Sequence, residues 1–233
     1  MLRFVPTAAF VLVLLLTAGC DGTEPAPPEP FFEATLHDVQ EAASALQGTA
    51  RLDPGAAFDR ELFVSVPLAA EEDLRATVVL LTASTDGAEH TIVFSHLGDD
   101  RPAAGETLAI EPQVFSTTRT GEAAARREAS KSDDTPALRE TLRGKTFAAY
   151  AQTTSDSLFT YLPSGGTLTI ERASEREMTG TFVVEIAALH AVARDAWPPS
   201  GSGTLTEDDF PGRIEHFADP TTLEGTFTAV LPE

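Results

Sequence analysis

The sequence predicts an all-β fold, mainly antiparallel, built as a sandwich or a distorted barrel. Three observations carry this expectation. Stretches rich in strand formers and alternating between apolar and polar residues recur along the chain, separated by clusters of Gly, Pro and Asp. One local pattern, apolar-x-Gly-Thr-apolar, returns at Leu46–Ala50, Met178–Phe182 and Leu223–Phe227. The only cysteine is Cys20, so beyond it no disulfide and no cysteine-ligated metal holds the fold, and packing must do so.

Taken in order, Phe31 to Leu36 alternates as a half-buried strand should. A helix-permissive stretch around Val39 to Ala45 leads to a strand over Leu46 to Leu52, and Asp53-Pro54-Gly55 predicts a turn. Strands are then expected over Glu61 to Leu68, Leu74 to Ala83, His90 to Leu97 and Glu106 to Ile110. Between two of them Thr85-Asp86-Gly87-Ala88 carries the Asp-Gly signal of a tight hairpin, the grammar of an antiparallel meander. The signal resumes with Thr146 to Gln152, Leu158 to Leu162, Gly166 to Glu171, Thr179 to Ala188 or beyond, Gly203 to Thr206, Arg213 to Phe217 and Leu223 to Leu231. Gly166-Thr167-Leu168-Thr169 and Gly203-Thr204-Leu205-Thr206 share the core of the glycine-threonine pattern. Glycine in a strand marks a bulge or a close approach of another backbone, and the irregular spacing speaks for one local solution used repeatedly, not for duplicated units.

Between residues 117 and 145 the pattern breaks. Seven bases, Arg119, Arg126, Arg127, Lys131, Arg139, Arg143 and Lys145, face five acids, Glu122, Glu128, Asp133, Asp134 and Glu140. The segment is either a basic docking loop for an acidic partner or a solvated insertion, the second being preferred. Gly121 to Ser130 forms a short helix or a loop, since its apolar face is alanine alone.

The whole chain is acidic, with 36 Asp and Glu against 16 Lys and Arg for a net charge of −20. That disfavours nucleic acid and anionic lipid surfaces as partners, and because the acids are scattered it reads as solubility in salt before it reads as a binding site.

The N-terminus carries an address. Arg3 precedes an apolar run from Ala8 to Leu16 that is too short to span a bilayer as a helix, so residues 1–19 are expected to be a signal peptide. The run ends in Leu16-Thr17-Ala18-Gly19-Cys20, which resembles the lipobox of bacterial lipoproteins; the resemblance implies cleavage before Cys20 and acylation of its thiol. The alternative is ordinary signal cleavage with an incidental cysteine. Asp21 resembles an inner-membrane retention signal of some bacteria, other lineages sort differently, and the destination membrane stays open. Residues 20–30 are proline-rich and read as a spacer able to lift the domain by at most roughly 30 Å. Residues 31–233 are expected to form one β domain.

Residues 32 to 231, with Phe32-Glu33-Ala34-Thr35-Leu36, Gly165-Gly166-Thr167-Leu168-Thr169-Ile170, Gly180-Thr181-Phe182 and Gly225-Thr226-Phe227, resemble the uncharacterised β-rich lipoprotein domains of Bacteroidota-type bacteria. The resemblance implies an envelope location and a sandwich or barrel-like fold, and brings no catalytic residue with it.

Chemistry-bearing patterns are sparse. There is no Gly-x-Ser-x-Gly elbow and no phosphate-cradling loop, and Ser164 and Ser202 sit beside glycines in expected turns. The histidines, His37, His90, His96, His190 and His216, form no metal-binding spacing; His90 and His96 would share a strand face about 20 Å apart. Acid clusters at Glu71-Glu72-Asp73, Asp99-Asp100, Asp133-Asp134 and Glu207-Asp208-Asp209 lack the spacing of a calcium loop, with Glu207, Asp208 and Asp209 the first to inspect for a metal. Trp197 is either an exposed contact for a sugar or protein or a loop residue packed on the core. No cofactor is expected.

The function expected is that of a cell-envelope lipoprotein anchored through Cys20, facing the periplasm or exterior, acting as a non-catalytic binding or structural accessory module with a protein or glycan partner. The alternatives are an envelope hydrolase acting on glycans, with carboxylates brought together by the fold, or a carrier of lipid or another small molecule in an apolar lumen.

Overall fold

The computed structural model describes residues 29–37, 44–57, 75–85, 87–98, 100–112, 142–193 and 213–232. These are almost all strand: β1 (Phe31–His37), β2 (Ser44–Ala57), β3 (Arg75–Thr85), β4 (Ala88–Leu97), β5 (Thr107–Ala109), β6 (Thr146–Thr153), β7 (Ser157–Ala173), β8 (Glu177–Ala193) and β9 (Arg213–Val230). The neighbours run β1, β2, β3, β4, β6, β7, β8, β9, and β9 returns to β1, so the sheet closes into an eight-stranded antiparallel barrel of simple meander order. Of the two expected architectures, the barrel is the one adopted. Among the described residues, closure leaves no long open edge to template aggregation.

Alternation places one face of every strand inside. On β1 Phe32, Ala34 and Leu36 are buried while Phe31, Glu33 and His37 are exposed. Val79 and Leu81 of β3, Phe94 of β4, Tyr150 of β6, Ile170 of β7, Phe182 of β8 and Phe227 of β9 join them in one apolar cluster that fills the lumen. The rings of Phe94 and Phe182, on strands that do not pair, meet at 5.0 Å between centroids, so the interior is spanned by side chains. Outward positions carry Glu33, Gln47, Arg51, Glu185 and Glu224. Over β3, β4 and β6 the outer face has its own apolar cluster, where Leu142 packs with Val93, Leu97 and Phe147.

β7 changes partner along its length. Its first part pairs with β6 and its second with the short β5, while β8 runs along the other side throughout. The change falls around Pro163-Ser164-Gly165-Gly166, where the register against β8 shifts. Pro163 has no N–H to give a ladder, and Gly166 takes φ 134° with the Val183 carbonyl so close that a Cβ there would stand 2.1 Å from it. β5 is tied on by Ile110 N–H to Gly166 O at 3.0 Å and Ile170 N–H to Glu106 O at 2.8 Å.

Several expected boundaries are corrected. Leu158 to Leu162 and Gly166 to Glu171 are one strand, β7, and Arg213 to Phe217 and Leu223 to Leu231 are joined in β9. Asp53-Pro54-Gly55 is a bulge inside β2, not a turn, with Gly55 at φ 77° and a register shift between Pro54 and Ala56. β3 and β4 pair antiparallel as the expected hairpin, with Thr85 opposite Ala88. The segment expected to be a signal peptide, Cys20, most of the expected spacer, the Val39 to Ala45 stretch up to residue 43, the Glu61 to Leu68 and Gly203 to Thr206 segments and the expected insertion up to residue 141 lie outside the described residues.

Candidate functional site: a polar groove on the barrel wall

The register of β2, β1, β9 and β8 sets two outward rows of side chains side by side. One row is Gln47, Glu33, Thr226 and Thr181; the next is Ala45, Thr35, Glu224 and Val183. Most of these are short, so the wall dips between the longer Gln47, Glu33 and Glu224. The result is an open groove of about 500 Å³, floored by the backbone of Ala34, Leu46, Phe182 and Gly225. Gly225 is glycine for a packing reason on the inner face. A Cβ there would stand 2.3 Å from Glu33 O and 2.9 Å from the Ala34 Cβ, so only glycine lets β9 lie this close to β1.

Glu33 accepts a hydrogen bond from Gln47 Nε2 at 3.2 Å. His37 Nε2 lies 3.0 Å from Glu224 Oε1 at the rim, both side chains about half exposed. Thr221 donates its hydroxyl to the His37 carbonyl and fixes that end of β1. Among the described residues, no lysine or arginine pairs with Glu33 or Glu224. Val183, 38% exposed, supplies the apolar element of the lining.

A second polar group lies inside the barrel. His90 of β4 is buried, with Nε2 2.8 Å from Thr85 Oγ1 and Nδ1 3.0 Å from Tyr150 Oη. Tyr150 stacks on Tyr161 at 4.4 Å between centroids, and Tyr161 donates to Gln152 Oε1 at 3.2 Å. The register puts these groups near the barrel end that holds the β3–β4 and β6–β7 hairpins. Burial holds the His90 imidazole below its usual value, which favours the neutral ring. Burial first, and the neighbouring Tyr161 second, push the Tyr150 phenol up, so it stays protonated. A neutral imidazole between two hydroxyls and a neutral phenol on a stacked ring form a satisfied network that orders this end of the lumen.

The histidines thus separate by role. His90 and His96 are on one face of β4 as expected, and His96 bonds Thr146 Oγ1 at 2.9 Å. Among the described residues no group of three metal-binding side chains converges. Glu207, Asp208, Asp209, Trp197, Ser202 and Cys20 lie outside the described residues, as do Asp99 and the clusters at 71–73 and 133–134. Ser164 sits in the β7 bulge and donates to the Glu185 carbonyl at 3.3 Å.

Sequence reasoning predicted an alternating strand over Phe31 to Leu36, which carries Glu33 and Thr35, but missed the groove. Glu33 and Glu224 are 191 positions apart and meet only because β1 pairs with β9 in one register. No protein-family model, curated protein or solved structure matches this chain.

Proposed function

We propose that this chain is an envelope lipoprotein, tethered through Cys20 and its proline-rich spacer, whose barrel is a non-catalytic binding module. The groove across β2, β1, β9 and β8 carries this reading: it is a concave, polar, solvent-facing site built on four paired strands, which hold its side chains at fixed spacing. The rival readings find less support. A lipid carrier needs lumen space that Phe32, Phe94, Tyr150, Phe182 and Phe227 occupy. A glycan hydrolase needs a carboxyl group enclosed enough to hold its proton, whereas Glu224 is half exposed beside His37.

The test is a photo-crosslinking residue placed at Thr226, inside the groove, and another at Glu89, on β4 away from it, in cells making the full chain. Discrete adducts from position 226, absent from position 89 and diminished by Cys20→Ala, are expected. The same adducts from both positions, or none from 226, would overturn the reading.

A further inference from the structure

The groove and the outward row beside it carry a pattern of charge that defines the ligand more closely: Glu33 and Glu224 line the groove, and Glu185 stands one row past Val183. Glu33 on β1, Glu224 on β9 and Glu185 on β8 step diagonally across the outer wall, each one strand and one outward row from the last: Glu33 pairs with Thr226, Glu224 with Thr35 and Val183, and Glu185 with Thr222. Diagonal neighbours on a sheet face stand about 7–8 Å apart. Alternate side chains of an extended peptide are spaced at about 6.6 Å, close to that step. Among the described residues, no lysine or arginine pairs with any of the three carboxylates, and the only cationic candidate at the rim is His37 beside Glu224. Val183 and the threonine methyls line the space between the carboxylates with apolar surface suited to the methylene stems of long basic side chains.

Resting on the reading of the groove as the docking face, we infer that its ligand is an extended cationic peptide segment with Lys or Arg at alternate positions, each meeting one of Glu33, Glu224 and Glu185. A second copy of this chain, at −20, is repelled as an occupant. The field of the whole molecule draws a basic segment in, and the carboxylate diagonal sets its register.

The probe is a labelled peptide of about eight residues alternating Lys and Thr, long enough to reach across all three carboxylates. It is titrated by fluorescence anisotropy against the full chain in detergent. A peptide of the same composition with its lysines in one block, and one with Glu for Lys, are the comparisons. The alternating peptide is expected to bind best, to weaken about tenfold or more in the Glu33→Gln, Glu224→Gln double variant, and to weaken again as salt rises from about 0.02 to 0.2 M. The isosteric changes keep the Gln47 contact as an amide pair, and Glu89→Gln, on another wall, controls for net charge and should leave affinity unchanged. Equal binding of the blocked and alternating peptides, or an equal loss in Glu89→Gln, would mean diffuse attraction to an acidic protein and would overturn the inference. So would no binding by the alternating peptide. If crosslinks from position 226 persist in cells while no cationic peptide binds, the ligand class is wrong and the docking face stands; if both fail, so does the reading beneath.

Discussion

Gly180 stands directly opposite Phe227 across the β8–β9 pair, and the β7 backbone on its other side closes over the place where its side chain would be. A Cβ at Gly180 would lie 2.2 Å from the Thr169 carbonyl oxygen and 3.2 Å from the Phe227 ring. The relation is reciprocal, since Phe182, two residues on, stands opposite Gly225. Phe32 stands opposite Gly48 in the same way across β1 and β2, its ring 2.8 Å from where a Cβ would stand. The repeated Gly-Thr pattern is therefore a barrel device: glycine lets the strand bend and a neighbour approach, the facing phenylalanine covers the gap, and the threonine between them points outward.

Gly180→Ala, Gly225→Ala and Gly48→Ala should each destabilise by about 2–4 kcal/mol, because the clash is with backbone that cannot move without breaking a ladder. Denaturant unfolding measures it. Gly87→Ala, where nothing lies within 4 Å and only the φ of 84° resists, should cost less, about 1 kcal/mol.

Phe227→Ala should cost about 3–5 kcal/mol by opening a lumen cavity against Gly180, whereas Phe31→Ala, on the exposed face of β1, should change stability by less than about 0.5 kcal/mol. Equal effects would contradict the inside-outside assignment of β1 and β9.

The His90 network predicts a pH dependence with a definite sign. The folded-state value is lowered by burial, so as pH falls below about 6.5 the unfolded chain binds a proton that the folded chain resists. Stability is fully present above that value and declines as pH falls toward the lowered folded value. His96, also lowered by burial though opposed by Glu106 and Asp100, adds a change of the same sign. His90→Gln should therefore be less stable than wild type at pH 7.5, and the gap in melting temperature should narrow at pH 5.5. A gap that widens on acidification would refute the assignment.

Tyr150→Phe should cost about 1–3 kcal/mol, because it strips the buried His90 Nδ1 of its partner while keeping the stack on Tyr161. The Lys145–Glu111 ion pair, short at 2.6 Å but with side chains 44% and 31% exposed, should contribute less than about 1 kcal/mol, read from Lys145→Ala in a double-mutant cycle.

The alternation of Phe32-Glu33-Ala34-Thr35-Leu36 and the Asp86-Gly87 turn were enough to predict β1 and the β3–β4 hairpin, because both depend on neighbours in sequence. Pro54-Gly55 and Pro163 to Gly166 were misleading for one shared reason. In a short turn such residues reverse the chain, but in strands of 14 and 17 residues wrapped around a small barrel they mark places where the strand bends and continues. The groove was illegible because the pairing of β1 with β9 joins the first and last of the described strands. No local pattern encodes that register, and the acids it unites look scattered when read along the chain.

The most direct measurement of the tethered-module account is the intact mass of the chain from the membrane fraction of cells making wild type and Cys20→Ala. The account predicts a mature chain that begins at Cys20 and carries added acyl mass, both lost in the variant. A wild-type chain recovered soluble and unmodified would contradict it.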